Sequence, residues 1–128
     1  MADTNTFIRR YDVDARSTDT FGRVLCACRQ HHFVVDGPVQ NGCPGEAVTP
    51  AELFLSGVAA CGVELLQVIS KEKAVPLSSV RVAISGTLDR SQPVRPDFAL
   101  FNSVRLSFEL EGVTEEQGSE LVNAFKKR

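Results

Sequence analysis

The sequence has no excess of charge of either sign and no long uninterrupted apolar run. Its formal net charge is -2 at pH 7, with a pI of about 5.7, so it has no basic surface of the kind that binds nucleic acid or anionic lipid. The most apolar segment, residues 51–69, is interrupted by polar side chains, whereas a bilayer span needs about 20 nearly uninterrupted apolar residues. We expect neither nucleic-acid binding nor a membrane span, and interpret the segment as a buried helix.

Cysteines are few, and their spacing does not form the framework of a small secreted protein. The first six residues are polar and lack the apolar stretch of a secretory signal. We therefore expect a cytoplasmic protein whose thiols are reduced. The four thiols in question are Cys26, Cys28, Cys43 and Cys61.

Length and composition are those of one globular domain. The chain has 128 residues, of which 43% are hydrophobic and 23% charged, enough to close a core and too apolar for a disordered chain. It contains no internal repeat or low-complexity tract. We predict a single domain over residues 1–128.

The N-terminal part predicts three strands. Phe7, Tyr11 and Val13 alternate with polar residues, which favours a strand over residues 7–14 before a turn. Two further strands, Arg23–Cys28 and His31–Asp36, are joined by a two-residue link, as in an antiparallel meander. A loop rich in glycine and proline follows at residues 37–48.

The next element is a long helix. Thr49 can cap it, Pro50 suits the first helical position, and Glu52 completes a capping box. The helix should run to about Lys73, because Pro76 cannot continue it. Much of it is apolar nearly all round, and so small a domain covers such a helix only with difficulty. We therefore expect a second chain to cover it.

The C-terminal part predicts two long strands and a second helix. Apolar and polar residues alternate over 80–88 and 104–110, as in an antiparallel pair with one buried face. Pro93 and Pro96 place a loop between them. Thr114 and Gln117 repeat the capping-box pattern and open a helix with Leu121 on its apolar side. The order is βββ-α-ββ-α, and the class is α+β.

Two motifs resemble the OsmC/organic hydroperoxide resistance family. They are His-Phe-Val-Val-Asp-Gly-Pro at residues 32–38 and the helical stretch 49–61, which opens Thr-Pro-Ala-Glu-Leu-Phe-Leu and ends Ala-Ala-Cys. The resemblance implies an OsmC-like fold, an intertwined homodimer with the cysteine helices buried at its centre, and sites at the interface. It also implies thiol-dependent reduction of small organic hydroperoxides in oxidative stress defence, with an external thiol as reductant.

The resemblance makes Cys61 the attacking residue. It must be ionised, against a reference pKa of about 8.5, and it lies too far along its helix for the helix N-terminus to help much. The family uses an arginine held by a glutamate near the start of this helix. Glu52 lies one position after that glutamate, and Arg16 is a loose counterpart of the arginine that one branch takes from the turn between its first strands. Phe54 and Val58 would line the substrate pocket.

The chain departs from the family pattern at two further points. The loop over residues 37–48 contains no arginine. The family's second cysteine lies just beyond a segment such as residues 125–128, where this sequence ends, so we expect either a protein without that cysteine or a shortened chain. Cys43, whose loop leads into the Cys61 helix, is an alternative resolving thiol, although a solvent-exposed loop residue is its ordinary interpretation.

Each candidate also has a structural interpretation. Cys61 can be a small buried hydrophobe, Glu52 a helix cap, and Arg16, Arg23 and Arg29 solvated charges at strand edges. These interpretations favour a non-catalytic homodimer that binds a small apolar molecule in the same pocket, or a structural or sensing role for the thiols.

A metal site is the weakest candidate. Cys26 and Cys28 share a strand face, with His31, His32 and Cys43 near in sequence. Zinc ligands more often occur as C-x₂-C pairs, and C-x-C in a strand is weak evidence. We expect no metal and no other cofactor.

Overall fold

A computed structural model of the chain describes residues 7–97 and 100–127, and it has the predicted element order. Its backbone forms two compact units, Met1–Leu53 and Phe54–Arg128, which are described separately. The α+β class and the order βββ-α-ββ-α are confirmed. The elements are β1 (Asp14–Ser17), β2 (Arg23–Cys28), β3 (His31–Asp36), α1 (Pro50–Glu72), β4 (Ser79–Thr87), β5 (Ser103–Glu111) and α2 (Glu115–Phe125), with a short 3-10 helix at Val39–Asn41.

The N-terminal unit is built on an antiparallel meander in the order β1-β2-β3. Cys28 lies opposite His31, and the two-residue link between them turns at Arg29, which has a φ of 54°. That link fixes the register of the whole hairpin, so that Arg23 lies opposite Asp36. The predicted meander is confirmed.

The first strand is displaced from its predicted position. It begins at Asp14 rather than near Phe7, and Phe7 and Tyr11 are 96% and 80% exposed. The physical reason is the length of the partner. Asp14 pairs with Ala27, one residue before β2 ends, so β2 is too short to pair with a strand that begins near residue 7.

The C-terminal unit contains a two-stranded antiparallel sheet and two helices. β4 and β5 pair along nine residues each, from Ser79 opposite Glu111 to Thr87 opposite Ser103. The core lies where the helices meet this sheet and is centred on Leu66, Ile69 and Leu121, which are almost completely buried. The predicted pair of long strands is confirmed.

The helix ends follow the predicted signals. Thr114 and Gln117 form a complete capping box at the start of α2. The last residue of α1 is Glu72, just before Ala74 leaves the helix with a φ of 54°. Pro76 follows two residues later, as expected for a chain that cannot continue as helix.

Helix α1 buries one side in the C-terminal unit. Its buried residues are Gly62, Leu66, Ile69 and Ser70, and a Cβ placed on Gly62 would lie 3.4 Å from Val82 and 3.7 Å from Phe125. By length and composition alone, α1 would also qualify as a bilayer span, and 22% of its most apolar window is buried. Core helices of soluble proteins meet the same criterion, so this carries little weight.

Candidate functional site

Cys61 lies on an exposed stripe of α1. Phe54 and Gly57 precede it by seven and four residues, and these spacings place all three on one helix face. The Cys61 side chain is exposed, and the Phe54 ring is 59% exposed. A Cβ at Gly57 would meet nothing within 4 Å. The stripe therefore has a shallow gap between an aromatic ring and a thiol, and Val58 lies half-buried at its side.

Cys61 is exposed in the single chain, whereas the burial predicted for its helix involves a second chain. The reason lies in the width of the apolar surface: Gly62, Leu66 and Ile69 face the core, whereas the Cys61 stripe points away from it. Cover of this stripe by a second chain stays a prediction.

An aromatic residue missed by the sequence analysis supports this stripe. Phe101 stacks on Phe54 with ring centroids 5.9 Å apart and an angle of 21° between the planes. No spacing rule connects a loop residue before β5 with a helix that ended nearly thirty residues earlier. Only the folded C-terminal unit reveals the pair.

Glu52 caps α1, as its structural interpretation predicts. Its carboxylate accepts hydrogen bonds from the Thr49 backbone N–H at 3.0 Å and the Thr49 hydroxyl at 2.9 Å. The same two bonds, the backbone one first, lower the pKa of Glu52, since both favour the charged form. The carboxylate is therefore engaged at the helix start.

Arg16 lies in β1, opposite Leu25, and is exposed. Its guanidinium makes no ion pair with any carboxylate in the part of the chain that the structure describes. The N-terminal unit therefore leaves this cation available.

Arg23 is not the solvated strand-edge charge that the sequence suggests. Its guanidinium donates to both carboxylate oxygens of Asp36, at 2.8 and 2.9 Å, and to Glu46 at 2.9 Å. The Asp36 side chain is completely buried. The cause is the hairpin register, since the two-residue link places Arg23 directly opposite Asp36.

Asp36 also holds the loop that leads to α1. Its carboxylate accepts the backbone N–H groups of Glu46 at 3.0 Å and Ala47 at 2.8 Å. The hydrogen bonds from Arg23, followed by those from Ala47 and Glu46, hold the pKa of Asp36 well below its usual range despite its burial. A buried carboxylate thus ties strand, arginine and loop together.

The ordinary interpretation of Cys43 is a solvent-exposed loop residue, and the structure differs from it. Cys43 is half-buried, and its side chain lies close to both Gly22 and Gly37. A Cβ added to either glycine would lie within 2.8 Å of the Cys43 Cβ. Gly22 also has a φ of +80°. Its lack of a side chain therefore allows this backbone conformation and leaves room for the Cys43 side chain.

The remaining thiols lie in β2. Cys26 is buried and Cys28 half-buried, and both are unpaired. Within residues 7–97 and 100–127, no three His, Cys, Asp or Glu side chains form a group suited to a metal ion. The expectation of a metal-free protein stays a prediction.

Three clefts in the described residues are lined by side chains other than Phe54 and Val58. One of about 510 Å³ lies between β5 and α2, one of about 540 Å³ lies beside Ile69 and Ala124, and a smaller one lies in the loop before Leu100. A substrate pocket at Phe54 and Val58 stays a prediction.

A scan against family models matches residues 43–128 to the OsmC family of OsmC-like proteins. This chain belongs to the OsmC-like family. The matched residues include Cys43, Glu52 and Cys61 and leave Arg16 outside. No curated protein matches the chain significantly.

Solved structures of OsmC-like proteins share the fold. The chain is similar to an OsmC-like protein from Mycoplasma pneumoniae, with a TM-score of 0.79, 18% identity, and coverage of 94% of this chain and 82% of that one. It is also similar to an organic hydroperoxide resistance protein OsmC from Legionella pneumophila, with a TM-score of 0.70, 20% identity and coverage of 94% and 84%. A third similar structure is an organic hydroperoxide resistance protein from Elizabethkingia anophelis, with a TM-score of 0.75, 17% identity, and coverage of 96% of this chain and 85% of that one.

Proposed function

We propose that this OsmC-like chain is a homodimeric thiol peroxidase that reduces small organic hydroperoxides through Cys61. The observation that carries the proposal is the Cys61 stripe, where an accessible thiol lies on the same helix face as an exposed aromatic ring, at the end of the family's most specific motif. Structural neighbours named for organic hydroperoxide resistance support the choice of substrate.

The chemistry is a two-electron transfer from sulfur to peroxide. The Cys61 thiolate attacks the outer peroxide oxygen, the O–O bond breaks, and the leaving alkoxide takes a proton to become the alcohol. Cys61 becomes a sulfenic acid. An external thiol then forms a mixed disulfide with Cys61 and releases water, and a second external thiol restores the free cysteine.

Ionisation of Cys61 requires a nearby cation. Arg23 is committed to Asp36 and Glu46, and we propose Arg16, which makes no ion pair with a described carboxylate, as this cation. We place Arg16 beside Cys61 in the dimer, oriented by Glu52. A partly buried arginine can stabilise a thiolate enough to lower a cysteine pKa by one or two units, at about 1.4 kcal/mol for each unit.

Dimerisation is supported by exposed apolar side chains in both units. Phe7, Tyr11 and Phe54 each expose more than half of their surface, and a second chain would remove apolar surface of this kind from water. An obligate dimer buries more than about 2,000 Å² in total. Sedimentation at low micromolar concentration should give twice the 13.9 kDa chain mass; a folded monomer would refute the dimer.

Resolution of the sulfenic acid is assigned to an external thiol. Cys43 is the alternative, but its sulfur is confined beside Gly22 and Gly37. A reducing cytoplasm supplies small thiols and suits a chain whose four cysteines are unpaired.

The decisive experiment replaces Cys61 by serine. Consumption of cumene hydroperoxide with a dithiol reductant should fall to the uncatalysed rate in Cys61→Ser, because serine cannot accept the oxygen. Cys28→Ser is the matched control, since Cys28 is a half-buried thiol of the other unit, and it should keep nearly full activity.

Mass spectrometry after one equivalent of peroxide identifies the oxidised sulfur. A sulfenic acid on Cys61, trapped by dimedone, supports the mechanism. A Cys61–Cys43 disulfide would instead make Cys43 the resolving thiol. Unreacted Cys61 in a folded dimer would refute the peroxidase.

A second function has its own supporting observation. Glu52 is already bonded to Thr49, so its carboxylate has less capacity to orient an arginine. This favours a non-catalytic homodimer that binds a small apolar molecule against Phe54 and Val58. Such a protein would bind cumyl alcohol and cumene hydroperoxide equally well and consume neither.

A further inference from the structure

The gap at Gly57 gives the proposed peroxidase a place for the organic part of its substrate. Phe54 and Cys61 lie two helical turns apart, about 10 Å along the axis. Helical side chains lean toward the helix N-terminus, so the Cys61 side chain is directed toward the turn that contains Gly57, where an added Cβ would meet nothing within 4 Å. A peroxide with its O–O bond at this sulfur would direct its organic group along the gap toward the Phe54 ring.

Phe101 backs the Phe54 ring. The two rings stack at 5.9 Å and 21°, while more than half of Phe54 stays exposed. Stacking therefore restricts the ring without covering it. An isolated exposed phenylalanine would sample several rotamers, and holding one of them in advance lowers the cost of binding against it.

Phe101 is itself confined by a glycine in the sheet. A Cβ on Gly86 would lie 2.9 Å from two atoms of the Phe101 ring and 3.2 Å from Leu55. Such contacts are too short for any side chain to fit without displacement. Gly86 therefore lets the ring lie directly against the backbone of β4.

Asn102 fixes the backbone immediately after Phe101. Its N–H donates to the Thr87 carbonyl at 2.8 Å. Its side-chain oxygen accepts from the Asp89 N–H at 2.7 Å, and its side-chain NH₂ donates to the Gln92 carbonyl at 2.7 Å. Three hydrogen bonds at one residue hold the base of the loop, and with it the direction of the Phe101 ring.

We propose that Phe101 is a positioning residue for substrate selectivity, which orients Phe54 as an aromatic wall that favours aryl hydroperoxides over small alkyl ones. The inference rests on the proposed peroxidase function. A flat aryl group gains edge or stacked contacts with the held ring, whereas a tert-butyl group over Gly57 gains little from it.

The test compares cumene and tert-butyl hydroperoxide on three variants. In Phe101→Leu, KM for cumene hydroperoxide should rise about threefold to tenfold, as expected for one aromatic contact, with kcat and both constants for tert-butyl hydroperoxide unchanged. Gly86→Ala should shift the same ratio, because it displaces the Phe101 ring and keeps it aromatic. Val94→Ala is the matched control, since Val94 is an exposed apolar residue of the same loop.

A second readout separates this inference from the peroxidase itself. Alkylation of Cys61 by N-phenylmaleimide and by N-ethylmaleimide, followed by peptide mass spectrometry, measures aryl preference without peroxide chemistry. If wild-type protein consumes neither peroxide, the proposed function fails, yet the phenyl-to-ethyl ratio should still fall at least about threefold in Phe101→Leu. An unchanged ratio in folded Phe101→Leu, with either set of reagents, would overturn the role of Phe101.

Discussion

Each of the two units of this chain has its own kind of stabilising interaction in its interior. In the N-terminal unit the most buried side chain is a carboxylate, Asp36, which is bonded to an arginine and to two backbone N–H groups. In the C-terminal unit the most buried side chains are Leu66, Ile69 and Leu121, which form one apolar cluster. One unit is organised around a charge and the other around hydrocarbon.

The difference follows from what each unit can bury. A three-stranded meander with strands of four to six residues has too little apolar surface for a sizeable core. A buried ion pair adds little net stability, but breaking it is costly, so it specifies one arrangement. The C-terminal unit has two helices to lay on its sheet and gains stability directly from apolar burial. The buried ion pair thus fixes the conformation of the segment before α1, whereas apolar burial stabilises the unit that contains most of α1.

The largest expected effect is in the apolar unit. Leu66→Ala should lower the free energy of unfolding by about 3–5 kcal/mol, because Leu66 is fully buried and the atoms around a deleted core side chain close the cavity only in part. Chemical denaturation followed by far-UV circular dichroism measures this. Val68→Ala, two residues on in the same helix and 36% exposed, should cost well under half as much. Equal costs would mean that the core does not lie where the packing places it.

The second effect is in the polar unit. Asp36→Asn keeps the shape of the side chain but removes the charge that Arg23 and two backbone N–H groups require. We expect the melting temperature to fall by roughly 5–10 °C at neutral pH. Hydrogen exchange should accelerate first at the amides of Glu46 and Ala47. Asp12→Asn, which removes an exposed ion pair with Arg10, should change little.

The same variant has a predictable dependence on pH. The pKa of Asp36 is lower in the folded chain than the ordinary value of about 3.9. Its stabilisation is therefore complete above that value and is lost as the pH falls through it toward the folded pKa. The stability gap between wild type and Asp36→Asn should thus narrow below about pH 4. Glu52 and Asp89, whose pKa values are also lowered, titrate in both proteins and cancel. A gap that widens in acid would contradict the assignment.

The sequence carries different amounts of information about these two units. The bounds of β2, β3 and both helix starts could be predicted, because alternation and capping residues are local signals. The Arg23–Asp36 pair could also have been predicted, since a two-residue link at Arg29 sets the register of the whole hairpin. The prediction of the first strand over residues 7–14 was wrong, because the strand begins at Asp14. Alternation at Phe7 and Tyr11 does not show whether a neighbouring strand extends far enough to pair with them.

The site was less predictable than the fold. Cys61 and Phe54 follow from a helical motif, but Phe101 joins them from a loop through three hydrogen bonds at Asn102 and a glycine in another strand. Such contacts have no sequence period. The exposure of Cys61 in the single chain could not be predicted either. Composition shows that α1 is apolar nearly all round, but it does not show which side of the helix its own chain covers.

The smallest expected effect compares the two helix caps. Thr114 accepts a hydrogen bond from the Gln117 N–H at 3.1 Å, and Thr49 accepts one from the Glu52 N–H at 3.4 Å. Thr114→Ala should cost about 1 kcal/mol of unfolding free energy, a typical value for a lost cap. Thr49→Ala removes a longer and weaker cap bond, but it also frees the Glu52 carboxylate from the Thr49 hydroxyl. We therefore expect Thr49→Ala to change peroxide consumption, which Thr114→Ala should leave alone. If Glu52 orients the cation beside Cys61, the loss of the hydroxyl bond, with the backbone bond from residue 49 kept, should raise the second-order rate with cumene hydroperoxide. An unchanged rate would leave Glu52 as a cap and nothing more.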